Sequence, residues 1–545
     1  MSSLKLGFNL NEMIPENNFS MKGIGKSGNG KMENICIMNG RLNWFRRILK
    51  SRNKIIDKNM LTKIFRKIHR ILGLLLSILF LMWFISGIVM IYHSFPRVNQ
   101  KLKLARQESL TGPLPAIDSL LQVLPDSSRL GGLSVDMYLD RPVFHLKGRQ
   151  LPAGLYADSL QVVGKPDFNE ICRIAGQLGG SVAYRVDSLN RLDQWIPFGY
   201  LTKEFPIYKF SFEDNARQEI YISSKSGKVL QWTDRNSRFW AWLGAIPHWV
   251  YFTSLRQNQA LWINFMIWAS GLGAIMCFTG LWIGIWVFWK NRKKGLRSPY
   301  KKWWLHWHHI TGVVFGVFAL TFVFSGMMSL VDIPSWMQKG KTRNREVRFR
   351  GREGGMLAAD LYALDYRKIV DSLSDVKSIE WASFGKYPYY VVNSGSKKQF
   401  IDAADTSCLS PFTLTEEMVR ETVREIHGQD TPYTLEWMTD WDDDYFSRRN
   451  MLTLPVYKVV IDDELHTRHY FNPETLYHRQ IDDNGRLRGV LYSGLHSLNF
   501  KFLAERPLLW NVVMYVLMLG GTFLSLSGVV LTFKWLGRKI RKLFR

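Results

Sequence analysis

Four long segments without a charged side chain dominate the pattern of hydrophobic and polar positions along the chain. They cover residues 71–96, 257–289, 303–331 and 507–533. Each exceeds the length of about 20 residues that an α-helix needs to cross a bilayer. The pattern therefore predicts an integral membrane α-helical protein with four transmembrane helices, which we place at residues 68–96, 257–289, 303–331 and 507–533.

Two segments of mixed pattern separate these helices, at residues 97–247 and 332–495. Apolar positions recur at helical spacing in four places, residues 116–124, 168–178, 361–373 and 415–427. Alternating positions predict strands at residues 133–139, 143–146, 207–212, 389–393, 456–461 and 468–471. This order of helices and strands predicts two α+β domains, each a small sheet with a helix on one face.

The distribution of charge predicts how these parts are oriented. The chain has 72 Lys and Arg against 46 Asp and Glu, a formal net charge of +26. The basic residues concentrate in residues 41–70, in the loop 290–302 and in the tail 534–545, which share one side if four helices cross the bilayer. Cytoplasmic segments carry such an excess of Lys and Arg. We therefore expect both termini to be cytoplasmic and both α+β domains to be extracytoplasmic, and we exclude a soluble nucleic-acid-binding protein.

The first 60 residues contain scattered Gly, Asn and Lys without a period. This composition favours a disordered cytoplasmic leader at residues 1–60. Met60 begins the run MLTKIFRKIHR, which would make a natural start of translation. N-terminal sequencing of the native protein tests whether residues 1–59 are translated.

Matches at a constant offset predict that the chain contains two copies of one plan. The matched residues include His, Trp and Pro, which chance matches between hydrophobic runs do not produce. They are His69, Gly73 and Ser86-Gly87 with His308, Gly312 and Ser325-Gly326 (offset 239), His248, Trp262 and Gly280 with His496, Trp510 and Gly528 (offset 248), and Pro206 and Tyr221 with Pro455 and Tyr470 (offset 249).

The sequence lacks the motifs that are typical of several kinds of cofactor and catalytic site. The four cysteines form no C-x-x-C pair, which argues against an iron–sulfur cluster and covalent c-type haem. No Gly-rich phosphate loop supports a nucleotide or flavin site, and no H-E-x-x-H or nucleophile elbow supports hydrolysis. The uncharged spans also make ion-coupled transport an unfavoured function.

Three motifs resemble the PepSY-associated transmembrane family over residues 60–545. They are K-I-H-R-I-L-G at the start of a span that ends in Ser-Gly, the turn Tyr470-Phe-Asn-Pro-Glu-Thr, and the pre-membrane pair Leu495-His496. The resemblance implies a protein of the bacterial inner membrane with two periplasmic PepSY-like domains. The family includes iron-regulated ferric-siderophore reductases that carry b-type haem.

Five histidines are the candidate ligands of such a haem. His69 and His308 lie at the cytoplasmic ends of the first and third spans, and His248 and His496 precede the second and fourth spans on the outer side. Repeats of like orientation are related by a pseudo-two-fold axis along the membrane normal, so equivalent histidines would face each other. Two neutral imidazoles would close the coordination of one iron, which suits electron transfer. His93, at the outer end of the first span, has no equivalent and would form an asymmetric site.

Simpler interpretations accompany each candidate. Histidines at helix ends also serve as interface anchors, and for His248 and His496 the two interpretations weigh about equally. His306, His308 and His309 form a membrane-interface surface more readily than a metal cluster. The acidic run Asp440 to Asp444 is typical of a solvated loop, with calcium or a cationic ligand as the alternative.

The combined prediction is a duplicated membrane protein with one or two b-type haems. By resemblance, it would pass electrons from an unidentified donor to a ferric siderophore in the periplasm. We assign no catalytic residue and no metal site other than haem iron. The rival predictions are a non-enzymatic PepSY protein that binds a peptide or protein, and a subunit that assists siderophore transport without reducing it.

Overall fold

The computed structural model describes residues 58–125, 129–292, 298–340, 357–449 and 451–544. The predicted leader therefore lies outside the described residues up to residue 57. In chain order, the helices are α1 (Lys58–Met90), α2 (Gln100–Arg106), α3 (Ile117–Gln122), α4 (Phe168–Gly179), α5 (Arg235–Leu243), α6 (Ala245–Trp249), α7 (Thr253–Arg256), α8 (Gln259–Asn291), α9 (Trp303–Met328), α10 (Tyr366–Ser372), α11 (Glu416–His427), α12 (Asp483–Gly489), α13 (Leu495–Ser497), α14 (Lys501–Ala504) and α15 (Pro507–Leu543).

The strands fall between these helices in two groups. They are β1 (Arg129–Tyr138), β2 (Arg141–Arg149), β3 (Gly154–Tyr156), β4 (Arg185–Leu189), β5 (Ile207–Ser211), β6 (Glu219–Ser223), β7 (Val229–Thr233), β8 (Val376–Phe384), β9 (Tyr387–Ser394), β10 (Lys397–Asp402), β11 (Tyr433–Met438), β12 (Val456–Ile461), β13 (Arg468–Phe471) and β14 (His478–Ile481).

Four of the described helices, α1, α8, α9 and α15, are long and apolar enough to cross a membrane. The chain is therefore a multi-pass membrane protein with additional α+β domains. The four helices share an apolar core, to which Phe80, Met276, Phe322 and Met514 contribute one buried side chain from each helix. The helices join the α+β parts at one end, called here the sheet end. The other end carries Arg66, Lys302 and Lys534 and is called the basic end.

Two four-stranded antiparallel sheets follow the simplest order, β4-β5-β6-β7 and β11-β12-β13-β14. Helix α4 packs on the first sheet through Ile171 and Leu178, and α11 packs on the second through Val419 and Val423. These side chains lie four or seven residues apart, so each pair shares one helix face. Each segment thus contains a helix on one face of a small sheet.

A third sheet joins the two segments whose sequence patterns predict separate domains. It has six strands in the order β10-β9-β8-β1-β2-β3. The central strands β1 and β8 are antiparallel, with Leu133 opposite Trp381 and Val135 opposite Ile379. Side chains from both segments form one hydrophobic core beneath this sheet. The two segments are therefore parts of one packed unit.

Candidate functional site: two facing histidine pairs

His69 and His308 form a pair near the basic end of the bundle. His69 lies on α1 and His308 on α9, and their ring centroids are 6.2 Å apart. Nδ1 of His69 lies 2.9 Å from the carbonyl oxygen of Met276 on α8. Nδ1 of His308 lies 2.8 Å from the hydroxyl of Ser527 on α15. All four membrane helices therefore take part in this basic-end pair.

His248 and His496 form a second pair near the sheet end. They lie on the short helices α6 and α13, with ring centroids 6.1 Å apart. Nδ1 of His248 lies 3.2 Å from the carbonyl oxygen of Trp83, and Nδ1 of His496 lies 3.0 Å from that of Phe322. A serine hydroxyl lies 3.2 Å from Nδ1 in both cases, Ser86 beside His248 and Ser325 beside His496. The two histidines of this sheet-end pair thus have equivalent partners at Nδ1.

These partners assign the same tautomer to all four histidines. A carbonyl oxygen only accepts, so Nδ1 of His69, His248 and His496 must donate. The Ser527 hydroxyl donates to the carbonyl of Leu524 at 2.7 Å and therefore accepts from Nδ1 of His308. A neutral imidazole that donates through Nδ1 keeps its lone pair on Nε2. Each pair therefore offers two Nε2 lone pairs.

The ring spacing fits a single metal ion between the two imidazoles of each pair. Two metal–nitrogen bonds of about 2 Å, with about 1.1 Å from each nitrogen to its ring centre, give a centroid separation of about 6 Å. The observed separations are 6.2 Å and 6.1 Å. Ligating histidines commonly donate their other N–H to a carbonyl oxygen, as three of these do. The two imidazoles of each pair would therefore be the residues to hold one metal ion, to which each would supply an Nε2 lone pair.

Short connections bring the sheet-end histidines back to the bundle. Val250 and Leu498 adopt positive φ values of 52° and 50°, two residues after His248 and His496. Such a conformation is strained for a β-branched residue such as Val250. The matched tryptophans of the next membrane helix hold each turn: Trp262 Nε1 donates to the carbonyl of Trp249 at 2.8 Å, and Trp510 Nε1 to that of Ser497 at 2.9 Å. The chain between each histidine and its tryptophan thus folds back on itself.

A cavity surrounds each pair. The sheet-end cavity has a volume of about 460 Å³ and is lined mainly by aromatic and apolar side chains, with Arg448 and Arg449 also in its wall. The basic-end cavity has a volume of about 1440 Å³. Its basic lining residues are Arg66, Arg70, Lys302, Lys534, Arg538 and Arg541. Phe80 lines both cavities and therefore lies between the two pairs.

A glycine of the matched set lies beside each paired imidazole. A Cβ atom on Gly280 would lie 2.4 Å from Cε1 of His69, which is too close for any real contact. The corresponding distances are 3.4 Å from Gly87 to His248, 3.5 Å from Gly326 to His496 and 3.5 Å from Gly528 to His308. Gly73 differs from these four, because a Cβ atom there would meet no other atom within 4 Å.

The other candidate histidines contact residues outside these pairs. His93 stacks on Trp240 with ring centroids 4.3 Å apart, and it lines neither cavity. Nδ1 of His306 lies 3.1 Å from the carbonyl oxygen of Tyr300. Both ring nitrogens of His309 have hydrogen-bond partners, the hydroxyl of Ser298 and the carbonyl of Gly284. His309 therefore has no lone pair available to a ligand.

The acidic run belongs to the structure of the second domain. Asp442 accepts from the Tyr470 hydroxyl at 2.8 Å and pairs with Lys458 at 3.1 Å. Asp444 pairs with Arg486 at 2.7 Å and with Arg468 at 3.4 Å. Among the residues that the structure describes, no group of three or more His, Cys, Asp or Glu side chains is arranged to hold a metal ion.

Arg448 and Arg449 were not singled out from the sequence. They follow the acidic run in an irregular loop, where neighbouring charged residues give no periodic signal. Only the fold brings this loop of the second domain to the wall of the sheet-end cavity.

The fold and the site together define a class, a multi-pass membrane protein with one histidine pair inside its four-helix bundle and a second pair on the short helices at the sheet end. The chain belongs to the family described as the PepSY-associated TM region, whose profile matches residues 66–538. The match covers both histidine pairs and all four membrane helices apart from the ends of the first and last. No curated protein matches the chain significantly.

Proposed function

We propose that this chain is a haem-containing electron-transfer protein of a bacterial inner membrane, which reduces the iron of ferric siderophores on the periplasmic side. The observation that carries the proposal is the geometry of the two histidine pairs. Each pair holds two imidazoles at a spacing that fits one iron, with ring centroids 6.2 Å and 6.1 Å apart, and no described residue forms a hydrogen bond with their Nε2 atoms.

The residues present fit two b-type haems. His69 and His308 would hold one haem iron, and His248 and His496 the other. The adjacent glycines let the membrane helices approach the imidazoles closely, and the aromatic walls supply apolar surface for a porphyrin. Non-covalent binding agrees with the absence of a C-x-x-C-H motif. When bound, haem supplies a one-electron Fe(III)/Fe(II) couple.

The chain's own residues would tune this couple for electron transfer. Two imidazoles leave the iron without an open coordination position, which favours electron transfer over the binding of small molecules. The Nδ1–H hydrogen bonds fix the ring orientation and raise the basicity of Nε2. The histidines of the basic-end pair lie on α1 and α9. Ser86 and Ser325, on the same two helices, contact the sheet-end pair. The separation of about 17 residues from His69 to Ser86, or from His308 to Ser325, corresponds to about 26 Å along a helix.

Internal duplication would explain why each pair takes one histidine from each half of the chain. Equivalent contacts recur in the two halves at the offsets that the sequence predicts. The contact of Ser86 with His248 corresponds to that of Ser325 with His496. The contact of Trp262 with Trp249 corresponds to that of Trp510 with Ser497. The contact of Tyr221 with Asp193 corresponds to that of Tyr470 with Asp442. A pseudo-two-fold axis along the bundle would pass between the members of each pair.

The charge distribution supports one direction of electron flow. Basic residues favour the cytoplasmic side, so the basic-end pair would receive electrons there and the sheet-end pair would deliver them to the periplasm. The acceptor gains one electron, and Fe(III) held by the siderophore becomes Fe(II), which the siderophore binds more weakly. No described residue defines the cytoplasmic donor.

The test is a single-turnover reaction of the detergent-purified protein. Protein from haem-replete cells is reduced anaerobically, freed of excess reductant and mixed with a ferric hydroxamate siderophore in the presence of an Fe(II) chelator. We expect the reduced haem bands to disappear as Fe(II) forms, with one Fe(II) per haem oxidised. The gallium(III) complex of the same siderophore is the control, because it has a similar shape and charge and is not reduced.

Either of two results would contradict the proposal. Haem that stays reduced in the presence of the ferric siderophore would exclude this acceptor. A protein that is colourless and binds a peptide or the siderophore tightly would favour one of the two rivals without electron transfer.

A further inference from the structure

Two adjacent arginines lie in the wall of the sheet-end cavity. Arg448 and Arg449 belong to the loop between β11 and β12, and both line the cavity together with His248 and His496. The guanidinium carbon of Arg448 lies 3.6 Å from the centroid of Trp510, so the two groups are in close cation–π contact. Nη2 of Arg449 donates to the carbonyl oxygen of Ile91 at 2.7 Å.

Neither arginine forms an ion pair with an acid among the described residues. This contrasts with other basic residues of the same domain, since Lys458, Arg468 and Arg486 pair with Asp442 or Asp444. Those pairs use the two partly buried acids of the loop. The loop is thus anchored through its acids, while its two arginines line the cavity and pair with no acid in the part of the chain that the structure describes.

A partly buried guanidinium without such a pair favours an anion. Burial, and then the neighbouring Arg449, lower the pKa of the Arg448 guanidinium. Loss of solvent without a counter-ion is costly for a charged group, and a carboxylate is the partner whose geometry arginine matches best. Contact with an aromatic face leaves the in-plane N–H groups of Arg448 available for such a bond.

The arginine pair is present in one half only. At the offset of 249 that relates Tyr221 to Tyr470, the positions of Arg448 and Arg449 correspond to Gly199 and Tyr200. A ligand that uses both arginines would therefore be oriented with its anionic groups toward the second domain.

From these contacts we infer that Arg448 and Arg449 bind the two propionate carboxylates of the haem held between His248 and His496. This inference rests on the proposed function. It orients the sheet-end haem with its propionates toward the α+β domains. Negative propionates stabilise the more positive, oxidised iron. The two arginines neutralise that charge and would therefore raise the reduction potential of this haem.

The direct test compares haem with its dimethyl ester, which lacks ionisable carboxylates. Apo-protein from haem-deficient cells is titrated with each compound in a His308→Ala background, so that only the sheet-end pair can ligate iron. We expect haem to bind at least about tenfold more tightly than the ester, since a tenfold ratio corresponds to a single ordinary hydrogen bond. In the Arg448→Gln/Arg449→Gln variant, the two compounds should bind with equal affinity.

The control is Arg488→Gln, which removes one positive charge from the same domain at a residue outside the cavity. It should keep the preference for haem over the ester. Arg448→Lys retains the charge and should keep most of the preference, which separates loss of charge from misfolding.

A second readout is the midpoint potential of the sheet-end haem. In the double Gln variant we expect it to fall by an amount equivalent to a tenfold change in the ratio of reduced to oxidised haem, about 59 mV for one electron. Equal binding of haem and ester by the protein with both arginines would overturn the inference, and so would a preference that survives in the double variant. If the protein with both arginines binds neither compound, the proposed function fails with it.

Discussion

At the scale of single residues, the partner of Nδ1 determines what each histidine can do. His69, His248 and His496 donate to carbonyl oxygens. His308 donates to the Ser527 hydroxyl, which itself donates to a carbonyl oxygen. His309 lies one residue from His308, yet its two ring nitrogens are both engaged. The difference between a candidate ligand and a structural histidine therefore lies in the packing around the ring.

His469 shows a different consequence of burial in the second α+β domain. It is fully buried, with Nε2 at 3.2 Å from Nε2 of His427 and Nδ1 at 3.1 Å from Nε2 of His478. Burial, followed by repulsion from His478 and His427, lowers the pKa of His469 well below its ordinary value. The folded protein therefore keeps this imidazole neutral at mildly acidic pH.

We predict that this domain loses stability as the pH falls below about 6.5, the pKa of an unfolded histidine. Below that pH the unfolded chain binds a proton that the folded His469 does not bind. The free energy of unfolding then falls by at most about 1.4 kcal/mol per pH unit for this group. Amide hydrogen exchange in β13 and β14, corrected for intrinsic rates, measures the effect between about pH 7.5 and pH 5.5, a range that brackets the unfolded pKa.

The matched variant for this prediction is His469→Gln, which keeps a polar side chain and cannot titrate. Its protection should depend less on pH than that of the wild-type protein. Equal pH dependence in the two proteins would show that His469 takes up its proton in the folded state.

At the scale of elements, glycine allows helix α8 to approach the imidazole of His69. The Cβ position of Gly280 lies 2.4 Å from Cε1 of His69 and 2.7 Å from its Nδ1. The same helix carries Gly271, where a Cβ would meet only Met327 Sδ at an ordinary 3.6 Å. The two glycines therefore differ in the space beside them while sharing one helix.

We predict that Gly280→Ala displaces the His69 ring and lowers haem occupancy at the basic-end pair. The added methyl group cannot fit without movement of the ring or of α8, and overpacking of this kind typically costs about 1–3 kcal/mol. Gly271→Ala is the control and should leave the haem content unchanged. The amount of haem per purified chain measures both, and full occupancy in Gly280→Ala would show that His69 does not need its present position.

The helices and strands also show how much of the fold the sequence could predict. Long segments without charged residues predicted the four helices that are long enough to cross a membrane. Alternating apolar and polar positions predicted several of the strands. The pairing of β1 with β8 had no sequence signal, because its partners, such as Leu133 and Trp381, lie far apart along the chain. The turns at Val250 and Leu498 were also missed, since neither residue type indicates a positive φ.

At the scale of the whole molecule, the register of the predicted repeat identified most of the site. It singled out His69 with His308 and His248 with His496, and the structure brings the same residues together. It left His93 without an equivalent, and the structure places that ring on Trp240. Arg448 and Arg449 fall outside the repeat, so their position could be found only from the folded chain. The ligand role of the histidines stays a prediction.

Counting the haems per chain in a set of histidine variants is the sharpest test that these two pairs ligate haem iron. The protein is purified in detergent from haem-replete cells and its haem is quantified against protein. We predict two haems in the wild-type chain and in His93→Ala, one in His308→Ala, one in His496→Ala and none in the variant that combines the last two substitutions. A full haem complement in the combined variant, or a wild-type protein without haem, would contradict the proposed ligand role.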